Sequence, residues 1–189
     1  IGSRLEDIAS FAKSVGGSPS NIAIGTARLG LRSGVITRVG DEQMGRFVLE
    51  QMTREGVSTR GITTDPARLT SLVLLAVESD KTFPLIFYRD NCADSALSED
   101  DVDEDFIRSA GALLVTGTHF AREVNDKAQR KAMALAKKHG RRIIIDIDYR
   151  PNLWGLAGLG AGEERYIKSD KVTAHLQSIL ADCDLIIGT

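Results

Sequence analysis

The chain has 189 residues, 42% of them hydrophobic, and a net charge of −2 with acids and bases interspersed along its length. That length and composition suit one globular domain with a proper core, and the mixed charge offers no basic face, so neither nucleic acid nor a membrane surface is expected as a partner. The longest apolar runs, SLVLLAV, ALLV and IIID, are strand-sized and far short of the roughly 20 residues that cross a bilayer.

The first element is carried by VGGSPSNIAIGTARLG, Val15 to Gly30. Ser18 is read as the helix N-cap, Pro19 as its first helical residue, Asn21 as part of the first turn and Gly30 as the stop. Gly16 and Gly17 let the backbone adopt positive φ or come close to a ligand, and the helix N-terminus behind them offers unpaired N–H groups. On these residues alone the loop reads either as a ligand cradle or as a tight turn into a packed helix.

GVITRVG, Gly34 to Gly40, follows as a short β-branched strand. Asp41 is then expected to cap a helix whose apolar Met44, Phe47, Val48 and Met52 recur at helical spacing until Gly56. SLVLLAV and FPLIFYRD, joined by the polar stretch Glu78 to Thr82, read as an antiparallel hairpin. With RGITTD before it, residues 57–90, joined by residues 8–16, are expected to build a small β lid. SEDDVDEDF reads as a capped, solvated helix start.

The rest alternates. GALLVTGTH is a strand, Asn125 to His139 a helix with an inner face of Ala128, Ala132, Leu135 and Ala136, and RRIIIDID the next strand. Residues 155–170 form a Gly-rich, then charged insertion. A helix over Lys171 to Leu180 and the strand CDLIIG complete the pattern. Strands without strict alternation are those of parallel sheets buried on both faces, so the expected fold is α/β, a doubly wound, mostly parallel sheet flanked by helices, with the hairpin lid beside it. Cys92 and Cys183 lie far apart without metal or redox spacing, which points to free thiols and a cytoplasmic location. The chain opens without methionine and stops just after a strand, which reads as an incomplete domain, a piece of a longer polypeptide.

The stretch GGSPSNIAIGTARLG followed by SGVITRVGDEQMGRFVLEQMTREGV resembles the amino-terminal signature of the ribokinase-like (PfkB) carbohydrate kinases. The resemblance runs in order through the whole chain, including the hairpin where that family carries its β lid. It implies that Gly16, Gly17 and Asn21 hold the sugar and that ATP and Mg²⁺ serve the complete enzyme. A two-stranded hairpin needs further strands, so the lid is expected to pack on the main sheet, on the residues near Phe11, or on a second subunit as a homodimer. FPLIFYRDNCAD and IDIDYRPNLW are similar to segments of the family's sugar-acid kinases, those acting on 5-dehydro-2-deoxygluconate and, more loosely, on 2-keto-3-deoxygluconate. The implied reaction is ATP-dependent phosphorylation of a sugar acid's terminal hydroxyl, with kinases of neutral sugars such as fructose or ribose and a non-catalytic sugar-binding homologue as alternatives. The resemblance places an earlier strand before Ile1. It places the aspartate that takes the hydroxyl proton, and most of the nucleotide site, beyond Thr189, so no catalytic residue is assigned here.

A planar guanidinium forming two parallel bonds is the natural partner of a carboxylate, and Arg89 and Arg150 both stand at strand ends, where open α/β sheets bind ligands. Asn91, Asp148 and Asn152 are their polar neighbours, and at least one is expected to touch the ligand. His119, Gly117 and Thr118 share a further strand end. GLGAGEERY carries Gly160-Ala161-Gly162 followed by glutamate, and reads as a solvated loop. It is neither GxxxxGK[ST] nor GxGxxG, so neither a P-loop nor a dinucleotide-dependent oxidoreductase is supported.

Overall fold

A computed structural model of the chain describes residues 2–188; Ile1 and Thr189, the bounds of the expected domain, lie outside the described residues. Helix α1 (Ser18–Arg28) leads into strand β1 (Gly34–Gly40), which pairs in parallel with β2 (Ser58–Asp65) across helix α2 (Gln43–Arg54). The antiparallel hairpin β3 (Leu72–Leu75) and β4 (Leu85–Tyr88) follows, then the short helix α3 (Glu104–Ser109). Strands β5 (Ala112–Thr116), β6 (Arg142–Asp146) and β7 (Leu185–Ile187) are parallel, with α4 (Glu123–Lys138) and α5 (Asp170–Leu180) as their crossovers.

The expected single sheet is divided. Among the described residues β1–β2 and β5–β6–β7 are not hydrogen-bonded to each other. Each packs its own core: Ala23, Val35, Met52 and Val57 under α1 and α2, and a larger cluster including Val115, Phe120, Ala132, Ile145 and Ile179 between β5, β6, α4 and α5. Ile36 of β1 packs on the larger cluster and joins the two. Of the helical faces read from the sequence, Ala128, Ala132 and Ala136 are buried and Met52 is fully so, whereas Met44 lies 41% exposed. No described helix is long and apolar enough to cross a membrane.

Helix ends follow local chemistry. At the C-termini of α1, α2 and α4, Gly30, Gly56 and Gly140 take positive φ, and the next residue's N–H returns to a carbonyl of the last turn (Leu31 to Thr26, Val57 to Met52, Arg141 to Ala136). Two N-termini differ from expectation. Gly17, at φ 89, is the N-cap of α1, because the Ser18 hydroxyl is turned to a partner across the fold. Glu42, not Asp41, caps α2: the Asp41 N–H extends the β1–β2 ladder by donating to the Asp65 carbonyl, while the Glu42 carboxylate accepts from the Met44, Gly45 and Thr70 amides.

The lid is smaller than residues 57–90. Gly61 to Asp65 stand opposite Ile36 to Gly40 in the parallel ladder, so β2 belongs with β1. Residues 8–16 contribute no strand; Val15 packs on the smaller core and the Lys13 ammonium sits 4.3 Å over the Phe47 ring, which ties this segment to the helical layer. The hairpin gains its third partner elsewhere. The Phe87 N–H donates to the Leu159 carbonyl and the Gly162 N–H to the Leu85 carbonyl, at 3.1 Å each, so the insertion covers the outer edge of β4. Gly162 is therefore buried against the hairpin, not solvated: a Cβ there would lie 2.5 Å from the Phe87 ring.

Candidate functional site

The carboxyl ends of β4, β5 and β6 and the N-terminus of α1 meet at one end of the molecule. Ser18 Oγ donates to Asp146 Oδ2 at 2.8 Å, fixing the start of α1 to the end of β6 although 128 residues separate them. The positive φ of Gly17 makes the turn that aims the helix there, a conformation costly to residues with a side chain.

Beyond Asp146 the chain passes through Asp148, which holds φ 30, a sparsely populated region for a non-glycine residue. Its carboxylate meets the Arg150 guanidinium at 2.7 Å. Burial raises the Asp148 carboxyl above its ordinary value against the pull of Arg150, and Asp146, Arg165 and Arg89 are also close enough to be felt. Burial lowers the Arg150 guanidinium, with Asp148 opposing. Both groups are thus short of solvent, so each gains more from a charged partner than it would in water.

Arg89, just past β4, is fixed by two neighbours. Nε donates to Asp94 Oδ2 at 2.6 Å and Nη2 reaches the same oxygen, while Nη2 also lies 3.2 Å from His119 Nε2. Among the described residues the remaining nitrogen, Nη1, has no hydrogen-bond partner of its own. Arg89, Arg122, Thr118 and Asn152 line a small cavity of about 50 Å³ here.

The sequence-derived candidates divide accordingly. Arg150 and Asp148 are paired, Arg89 lines a small cavity with Asn152, two residues beyond Arg150, and Gly17 makes the turn into Ser18. Gly16 lies exposed beside it. Asn21 lines a different groove of about 430 Å³ between α1 and α2, with Lys13, Phe47 and Gln51. Asn91 is exposed at φ 50, and its carbonyl oxygen accepts from Arg68 Nε at 3.1 Å. Sequence reading gave no role to Asp94 or Asp146. Asp146 is the last residue of β6, and Asp94, in the turn Ala93–Ala96, joins the site only through its bond to Arg89.

A model of the pfkB family carbohydrate kinases matches residues 3–159. The chain belongs to this family. Among its relatives, the 5-dehydro-2-deoxygluconokinase of Geobacillus kaustophilus (strain HTA426) is 40% identical over 187 residues, covering 98% of this chain and 52% of that protein. A PfkB protein from Polaromonas sp. JS666 superposes with a TM-score of 0.86 at 28% identity, over 98% of this chain and 59% of the other. An uncharacterised sugar kinase from Pyrococcus horikoshii, solved in complex with ATP, gives 0.82 at 25% identity over 97% and 56%. This pfkB chain therefore has the ribokinase-like α/β fold, and it spans about half the length of the curated relatives it matches.

Proposed function

We propose that this chain supplies the acceptor-sugar site of a cytoplasmic kinase that phosphorylates the terminal hydroxyl of a sugar acid, 5-dehydro-2-deoxy-D-gluconate, to its 6-phosphate with ATP and Mg²⁺. The observation that carries the reading is the placement of two arginines at neighbouring strand ends: Arg150 pairs with Asp148 at 2.7 Å, and Arg89 lines one small cavity with Asn152, two residues beyond Arg150. Two guanidiniums held in shielded surroundings can form the paired N–H···O bonds a carboxylate accepts. The names of the 36–40% identical relatives support the choice of acid. A second copy of the chain is the proposed partner at the lid.

The glycine-rich stretch of the insertion does not fit a nucleotide site. Gly160-Ala161-Gly162 is engaged with the hairpin, and the Gly162 N–H already has its acceptor. What these residues do is bind and orient: the arginines fix the acid end, and the Ser18–Asp146 bond holds the glycine turn against the end of β6. Orientation of this kind is a large part of phosphoryl transfer, where positioning and electrostatics dominate.

The test is a substrate panel on the full-length polypeptide. The sugar acid should be turned over in preference to fructose and ribose. Arg150→Ala should raise KM for the acid about 10- to 100-fold, the worth of a charge-assisted bond of roughly 1.5–3 kcal/mol, and change neutral sugars little. Preference for a neutral ketose, indifferent to Arg150, would overturn the assignment.

A further inference from the structure

Asn152 lies on the buried turn after β6, 5% exposed, and among the described residues neither its Nδ2 nor its Oδ1 has a hydrogen-bond partner. Its backbone carbonyl is satisfied, accepting from the Gly155 N–H at 3.2 Å. A buried amide that offers two donors and an acceptor to nothing is costly, and native proteins leave such groups only where something else completes them.

The neighbours say what would complete it. Asn152 lines the 50 Å³ cavity with Arg89, Thr118 and Arg122. Asp94 draws Arg89 from behind on Nε and Nη2, which leaves Nη1 for another acceptor. Arg122 is half exposed, and its ion-pair contact among the described residues, with Asp90, is a loose 3.9 Å. Asp94 offsets one of these two cations, and its Oδ1 is also unpartnered. Asp90, 86% exposed, offsets Arg122 only loosely, so the cavity is lined by two guanidiniums with one close carboxylate and an amide that can donate. The cavity is small against the roughly 300–1,000 Å³ of a complete ligand site. It takes one end of a ligand, not a ring.

We propose that Asn152 is a specificity-determining residue: its side-chain amide donates, beside Arg89, to the carboxylate end of the acceptor sugar. This rests on the sugar-acid reading above and picks one residue from three polar neighbours. Asn91 is exposed and held by Arg68, and Asp148 is paired with Arg150, so Asn152 alone of the three is both buried and free.

The experiment uses the full-length polypeptide with two probes, 5-dehydro-2-deoxy-D-gluconate and its primary amide, which keeps the shape and removes the charge. Asn152→Asp is nearly isosteric but places an anion beside the probe. The ratio of acid to amide KM should rise at least tenfold, with kcat for the acid within a few-fold of wild type. Asn152→Ser, the milder variant should the aspartate not fold, should raise the acid KM several-fold and leave the amide less affected. A merely structural amide, completed by buried water, would lower the melting temperature in both variants without moving the ratio, and that result overturns the proposal. Failure of the sugar-acid reading is seen separately, as a wild-type enzyme that does not distinguish acid from amide.

Discussion

His119 Nε2 lies 3.2 Å from Arg89 Nη2, and because a guanidinium only donates, the imidazole must accept there. The ring proton then sits on Nδ1, with Thr116 Oγ1 at 3.0 Å and Thr118 Oγ1 at 3.3 Å as acceptors. Protonating Nε2 would set a second cation against Arg89. Burial first, and the Arg89 charge second, lower the imidazole from 6.5 to about 4, with Asp94 pulling the other way. Between those values the unfolded chain binds the proton that the folded chain refuses. Stability should therefore be complete above pH 6.5 and fall by up to about 1.4 kcal/mol per pH unit toward pH 4, below which this contribution levels off. Urea unfolding across that range checks it, and His119→Gln, which keeps an acceptor but cannot titrate, should flatten the slope.

Arg38 joins β1 to the acidic turn before α3. Its Nε donates to Asp101 Oδ2 at 2.7 Å and Nη1 to Asp65 Oδ2 at 3.4 Å, and both carboxylates are only 4% exposed. Part of SEDDVDEDF is thus an anchor and not a solvated face. Arg38→Met removes the cation and leaves Asp101 buried with the Ser98 amide and hydroxyl as its hydrogen-bond donors, while Asp65 keeps Arg68 at 3.2 Å. A loss of about 3–5 kcal/mol is expected, as for other buried pairs broken from one side. Adding Asp101→Asn should recover part of it, which denaturant midpoints would show.

Much of this was legible in the residues because its causes are local. The glycines at 30, 56 and 140 end helices wherever they fall, and GVITRVG and RIIID carry their β-branched signal with them. Partner choice is different. RGITTD looks alike whether it joins a lid or a parallel ladder, and the decision lies with Ile36 to Gly40, more than twenty positions away. Asp41 and Glu42 are both plausible caps until the Asp65 carbonyl claims the Asp41 amide. At the site, strand-end arginines could be found from spacing, but the partners of Arg89 stand 5 and 30 residues along the chain. The orphaned amide of Asn152 is a consequence of burial and has no sequence signature at all.

The contact between Gly162 and the lid predicts a glycine requirement outside any motif. An alanine Cβ would stand 2.5 Å from Phe87 Cε2 and 2.6 Å from the Leu85 carbonyl oxygen. The loop must then leave β4. Gly162→Ala should cost about 1–3 kcal/mol, as overpacking does, and speed hydrogen exchange at the Phe87 amide, whose acceptor is Leu159. Gly160→Ala, with nothing within 4 Å of its Cβ position, should leave that amide protected.

The hairpin has one covered edge and one open one. Leu159 to Gly162 occupy the outer side of β4, whereas among the described residues no strand pairs with the outer side of β3, and Gly2 donates to the Val77 carbonyl, past its end, at 3.0 Å. Leu72 and Leu75 of β3 are each 51% exposed, and Tyr88, opposite Leu72, is 55% exposed. A two-stranded ribbon with apolar side chains in water is marginal alone, and an open apolar edge is a template for another strand. A second copy placed along β3 would satisfy both needs. Light scattering of the full-length polypeptide should give twice the monomer mass, and Leu75→Lys, a charge on the pairing edge, should return it to the monomer with the fold intact by circular dichroism. A monomeric wild type, or a dimer indifferent to the lysine, would place the contact elsewhere or remove it.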